Sequence, residues 1–171
     1  MGDNRHMYDE ILNEALHAVI KDFDSGQVRL ETEGDLRGFL FHRCAEILSS
    51  KRHPSPIPVH AEWPIGDVKA DLAIGPVAQT VAELKFEPFT TNEGTVFLKG
   101  RTAHSVEHDI GKLKAYAKQG RTGHFIMIEL EGETTEGPWY FPSRTPLLGI
   151  PKEEWQETRH FTWVHYVVSP Q

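Results

Sequence analysis

The stretch "KADLAIGPVAQTVAELKF", residues 69–86, decides the fold. Gly75-Pro76 divides it into two short apolar runs, the pattern of two strands joined by a turn. Charged residues interrupt both runs at positions of one parity. Strand side chains alternate faces, so Val68, Ala70, Leu72 and Ile74 share a core face and leave Asp67, Lys69 and Asp71 on the other. In the second run Ala82, Leu84 and Phe86 take the core face, with Glu83 and Lys85 opposite. The separation of Asp71 from Glu83 is even, so an unbulged hairpin sets the two carboxylates on the same face of neighbouring strands. Directly opposed side chains there have Cβ atoms about 5 Å apart.

Facing carboxylates repel, and without compensation one of them takes up a proton. A hard divalent ion removes that cost, and Mg²⁺ is commonly held by one or two carboxylates together with substrate phosphate. Lys85 projects to the same side as Glu83, where an ammonium can act on the attacking water and steady charge growing on a phosphate. Two carboxylates and a lysine so placed suit metal-assisted phosphodiester hydrolysis.

Around this hairpin the chain alternates between the two regular periods. Tyr8, Ile11, Leu12, Ala15, Leu16, Val19, Ile20 and Phe23 recur at helical steps and stop at Asp24-Ser25-Gly26. A second helix is expected in "EGDLRGFLFHRCAEILSS", with Leu36, Phe39, Leu40, Cys44, Ile47 and Leu48 on one face and Asp35 suited by charge to its first turn. "KRHPSPIP" breaks any helix. Strands are expected over about 57–63, 67–74 and 79–86, then a long polar loop over 87–108. "HDIGKLKAYAKQG" reads as a short helix and "HFIMIEL" as a strand buried on both faces. A turn of helix near 152–157 and a last alternating strand "HFTWVHYVV" complete the chain. The order ααβββαββ predicts an α/β (α+β) fold with a central mixed β-sheet flanked by helices.

Asp71 followed by "Glu83-Leu84-Lys85" on consecutive strands resembles the PD-(D/E)XK nuclease superfamily. The resemblance spans residues 33–130 and implies the restriction-endonuclease-like core of helix, three-stranded meander, helix and strand. It implies Asp71 and Glu83 as ligands of Mg²⁺ or Mn²⁺, the Leu84 backbone carbonyl as a further ligand, and Lys85 as the catalytic lysine acting on the water. Ala70 stands where that family often has proline. "TEGDLRGFL" is similar to the first core helix of members whose helix-borne glutamate approaches the metal, which assigns that role to Glu33 with Glu46 as its rival. DNA is the substrate this resemblance implies, with RNA open and a two-fold homodimer suited to cutting both strands.

Other residues carry weaker signals. Glu62 and His60 share a strand parity and stand as candidates to line the site. Lys114, Lys118 and Arg121 form a basic stripe that reads either as a solvated face or as a phosphate track. His104 and His108 have a metal-pair spacing, but without a second pair they read as ordinary loop residues. Trp139, Tyr140, Trp155, Trp163 and Tyr166 read as core or edge aromatics.

Composition bounds these readings. The chain has 171 residues, and 18 Lys plus Arg against 25 Asp plus Glu give a net charge of −7, which argues against coating nucleic acid over the whole surface but permits a local groove. Cys44 is the only cysteine, a core residue in a reducing cytoplasm. No apolar run approaches a membrane span. Residues 1–7 read as a cloning remnant or disordered N-terminus, and 8–171 as one nuclease-like domain. Two rivals remain: a non-catalytic nucleic-acid or protein interaction module on the same fold, and an unrelated domain in which Glu83 and Lys85 make a surface cross-strand pair.

Overall fold

The computed structural model describes residues 5–51, 56–87, 99–130, 133–134, 137–138, 150, 154–158 and 161–170. It is an α+β structure in which, among the described residues, three helices pack on a mixed six-stranded sheet. Helix α1 spans Arg5–Asp24 and buries Tyr8, Ile11, Leu12, Ala15, Leu16 and Val19 as their spacing predicts. Helix α2, Glu33–Ser50, starts at a reciprocal capping box. The Asp35 amide donates to Thr32 Oγ1 at 3.1 Å, and Asp35 Oδ2 accepts from the Thr32 amide at 2.9 Å. Asp35 thus serves the first turn through geometry as well as charge.

Strands β1 (Val59–Ile65), β2 (Val68–Ile74) and β3 (Thr80–Glu87) form an antiparallel meander. Helix α3 (Lys99–Ala117) then carries the chain to β4 (Thr122–Leu130), parallel to β3. The two-residue strands β5 (Glu133–Thr134) and β6 (Gly137–Pro138) pair with each other. Strands β7 (Trp155–Glu157) and β8 (Phe161–Val168) complete the main sheet, in the order β1-β2-β3-β4-β8-β7.

Both faces of this sheet are covered. Leu72, Ile74, Ala82, Leu84, Phe86, Ile126 and Ile128 pack beneath α1 and α2. Ala73, Val81, Phe125 and Met127 pack beneath Val106, Ile110, Leu113 and Tyr116 of α3. The parity read from the sequence therefore holds along β3, but its second face is not solvent: Glu83 has 0% exposure. Ala70 joins the α3-side core although it shares parity with Leu72. The switch falls at Asp71, where the β1–β2 ladder skips a pair and Glu62 takes a φ of 51°.

Several boundaries depart from expectation for physical reasons. Strand β1 runs through Pro64 because it is an edge strand, where a missing N–H costs no ladder bond. The expected loop over 87–108 instead turns helical from Lys99, with Val106 extending the apolar face of Ile110 and Leu113 upstream; 88–98 lie outside the described residues. His108 is therefore an exposed helix residue, and His104 lies on the same helix. Of the expected helical turn near 152–157, residues 155–157 are instead strand β7, which gains backbone partners by adding to the edge at β8, and 152–153 lie outside the described residues. Trp163 is core and Tyr166 packs against the α3-side core, whereas Trp139, Tyr140 and the Trp155 side chain lie outside the described residues. Cys44 is fully buried, and burial pushes its thiol up to about 12.

The β2–β3 connection depends on backbone that L-residues rarely adopt. Gly75 has φ +100°, and an added Cβ would fall 2.0 Å from Gln79 Oε1 and 3.1 Å from a Tyr8 ring carbon. Gly75→Ala is expected to cost about 1–2 kcal/mol from the left-handed backbone alone. The melting midpoint should fall by several degrees; an unchanged midpoint would show that the turn relaxes freely.

A polar cluster ties α1 to the sheet. Asp9 Oδ1 accepts from Thr80 Oγ1 at 2.6 Å, and Asp9 Oδ2 accepts from Thr122 Oγ1 at 3.1 Å. His124 Nε2 meets Asp9 Oδ1 at 3.2 Å, and His124 Nδ1 meets His165 Nε2 at 2.8 Å. Each of these polar groups thus finds a partner, and the cluster joins four elements, α1, β3, β4 and β8. Burial, with the neighbouring His124 and His17, pushes His165 down to about 4.

Candidate active site

The β2–β3 ladder pairs Ile74 with Thr80, Ala73 with Val81 and Leu72 with Ala82. Asp71 and Glu83 stand at the next step of that register, where the backbone pairing ends. The Leu84 amide that the ladder no longer serves donates instead to Asp71 Oδ2 at 2.8 Å. This fork between the strands places carboxylates on the α3 side of the sheet, and Lys85 follows Glu83 on the same face.

Glu83 is the deepest of these groups, its side chain only 1% exposed. Its Oε2 is bonded by the Lys112 ammonium of α3, while Oε1 is buried without a hydrogen-bond partner. Burial raises Glu83 above the ordinary carboxylate range; the Lys112 bond opposes that, and the charges of Asp71 and Asp109 add to it. The direction is upward because one ammonium does not offset full desolvation plus two neighbouring carboxylates.

Lys85 Nζ donates to the Leu84 carbonyl at 3.1 Å and to Glu33 Oε2 at 3.4 Å. It also lies 2.9 Å from Asp109 Oδ2, an ion-pair contact. Burial alone would lower the Lys85 pKa, but Asp109, Glu33 and Asp71 outweigh it and the net direction is upward. Lys85 is therefore an ammonium here. Asp109 Oδ1 meets Lys112 at 3.0 Å, so one carboxylate spans both lysines.

Among the described residues, the four carboxylates of Glu33, Asp71, Glu83 and Asp109 gather around the ammonium groups of Lys85 and Lys112, with Arg37 at the rim beside Asp71. The formal surplus is two negative charges, the amount one divalent cation carries. Arg37 does not change that balance: its guanidinium is 4.0 Å from Asp71 but 3.2 Å from Glu62, with which it forms a pair at the rim. Among the described residues, no three His, Cys, Asp or Glu side chains converge as a ready metal cage. The set nonetheless fits an oxygen-liganded ion, since Glu83 Oε1 is a buried, unpartnered acceptor.

The residues singled out in the sequence divide clearly. Asp71, Glu83, Leu84, Lys85 and Glu33 come together, with Glu33 contributed by the first turn of α2. Glu46 does not join them; it pairs with Arg43 and His42 on its own helix. Glu62 reaches the rim through Arg37, and His60 stacks on Trp63 with ring centroids 4.2 Å apart. Lys114 and Lys118 are exposed, and Arg121 bonds Gln119 at 2.5 Å. At about 100° per residue, Lys114 lies about 200° around α3 from Lys112 and so on a different side from the carboxylate cluster, while Lys118 and Arg121 lie beyond the last helical residue, Ala117, so the expected helical stripe does not form.

Sequence reading missed Asp109 and Lys112. Their signal was the spacing of Asp109, Lys112 and Tyr116, which share one side of a helix. The Tyr116 hydroxyl is buried without a well-formed hydrogen bond, and burial together with the nearby Glu83 charge pushes it up to about 12.

Comparison with models of known families, with curated proteins and with solved structures returned no match. No helix among the described residues is long and apolar enough to cross a membrane.

Proposed function

We propose that the chain is a divalent-cation-dependent nuclease with a restriction-endonuclease-like core, hydrolysing phosphodiester bonds of DNA. The observation that carries this reading is the fork at Asp71: its carboxylate caps the Leu84 amide beside a buried glutamate with a free acceptor oxygen, and the neighbouring lysine faces the same side. Asp71, Glu83 and the Leu84 carbonyl would hold Mg²⁺ or Mn²⁺, with Glu33 at the periphery. Bound there, the cation would supply Lewis-acid activation of water and charge for the phosphate.

The protein's own groups divide the remaining work. Lys85 is held as an ammonium by its carboxylate neighbours in the cation-free protein. Its Nζ donates to the water's oxygen or to a phosphate oxygen, orienting the first and stabilising charge on the second. Asp109 holds that ammonium in place, and α3 with its apolar side closes the cluster from below.

Labelled duplex, branched and single-stranded DNA and RNA, each incubated with Mg²⁺ and with chelator, test the reading. Cleavage of DNA that chelator abolishes is expected. Binding without cleavage of any substrate would favour a non-catalytic interaction module on this fold, a reading supported by the ammonium partner Glu83 already has.

Phosphate contacts outside the cluster are testable separately. If Lys114 and Lys118 track the backbone, neutralising either should weaken binding alike across sequences and lower the log-log salt slope by about one. Unchanged affinity and slope would assign the stripe to solvation.

A further inference from the structure

We propose that Lys112 is a displaceable internal counter-ion: its ammonium occupies Glu83 in the cation-free protein and withdraws onto Asp109 when a divalent cation binds. The inference rests on the cation-dependent reading of the site and adds how that site is kept stable, and selective, when empty of metal.

The geometry supplies both positions of the side chain. Lys112 already contacts Glu83 Oε2 and Asp109 Oδ1 together, the second at 3.0 Å. Asp109 stands one helical turn before Lys112 on α3, so release from Glu83 leaves the ammonium with a partner and requires only side-chain rotation. The two ends differ in access. The Lys112 side chain is 16% exposed and can follow a path outward, whereas the Glu83 side chain is 1% exposed and fixed within β3.

A counter-ion is needed because a fully buried carboxylate beside Asp71 and Asp109 is costly if bare. A permanent partner would be a different device, since a cation must then compete for Glu83 without any gain. Glu83 Oε1 separates these possibilities. It is buried without a well-formed hydrogen bond, the Tyr116 hydroxyl being only a weak neighbour of the carboxylate, so an incoming cation gains a first ligand atom before Lys112 has left. Its approach then repels the ammonium, and the exchange proceeds without Glu83 ever being bare. A monovalent ion brings no more charge than the lysine already provides, so exchange favours divalent cations.

Lys112→Met and Lys112→Arg test this with opposite expected signs. Methionine keeps the length of the side chain and removes the competitor, so Ca²⁺ and Mn²⁺ should bind about tenfold or more tightly in calorimetric titrations without DNA. Without cation its melting midpoint should fall, and either ion should restore it. Arginine offers carboxylates a rigid two-pronged grip, so cation binding should weaken by a similar factor while the cation-free midpoint is maintained. Should wild type bind Ca²⁺ or Mn²⁺ and Lys112→Met bind them no more tightly, Lys112 is a fixed positioning partner and the proposal fails alone. If wild type binds neither ion, the cation-dependent reading fails with it. A Lys112→Met chain that folds neither with nor without cation, beside Lys112→Arg with wild-type cation affinity, would also overturn the exchange.

Discussion

Lys85→Ala is expected to lower Mg²⁺-dependent cleavage about a thousandfold, within the range typical for losing one positioned catalytic or charge-stabilising group. Both proposed carboxylate ligands and the Leu84 carbonyl remain, so DNA and cation affinities should stay within a few-fold of wild type. The loss belongs in kcat, because the ammonium's stabilisation is greatest when charge develops on the phosphate. Glu83→Gln should fail differently. It keeps the shape but removes a formal charge from the cation's ligands, so cation affinity falls and excess Mg²⁺ restores part of the activity. Single-turnover cleavage rates across a Mg²⁺ titration separate the two variants. Equal residual rates and equal Mg²⁺ dependence in both would show that Glu83 and Lys85 act together as structure.

Acid should destabilise the fold through its other polar cluster. His165 sits at about 4 in the folded protein against an ordinary value of 6.5, chiefly from burial and then from His124 and His17. The unfolded chain therefore binds more protons between these values, and stability falls as pH drops from 6.5 towards 4. A shift of this size corresponds to at most about 3 kcal/mol. Asp9 adds to the loss at lower pH. Burial would raise it, but His124, Thr80 and Thr122 hold it below its ordinary value, so its contribution disappears as pH falls through that lowered value. Denaturant melts from pH 7 to 4 should show the slope in wild type and lose most of it in His165→Gln, which keeps a polar partner for His124 but does not titrate. An identical slope in the variant would assign the acid sensitivity elsewhere.

Much of this arrangement was legible because it depends on local period. The even spacing of Asp71 and Glu83, and the apolar residues alternating with them, fixed which side of β3 each residue takes. Helical repeats likewise located α1 and α2. What the pattern did not disclose was contact across the sheet. Asp109 and Lys112 look like an ordinary exposed pair on a short helix, and only packing of α3 over β3 brings them to Glu83 and Lys85. Small residues such as Ala73 and Ala78 concealed the covered second face, because they bury little area and make a weak apolar signal. Strand β7 was hidden for a related reason: its three residues gain order from the neighbouring edge of β8, which no local periodicity encodes. His124 sat inside an apolar run whose burial was clear, while its partner Asp9 lies 115 residues away.

The central claim is that Asp71 and Glu83 share one divalent cation. Crystals grown with Mn²⁺ and measured at an X-ray energy where manganese scatters anomalously would locate the ion directly. A single strong peak is expected about 2.1 Å from a carboxylate oxygen of each residue, with the Lys112 ammonium moved off Glu83. A map with no peak at either carboxylate, and Lys112 still bonded to Glu83 at saturating Mn²⁺, would contradict it.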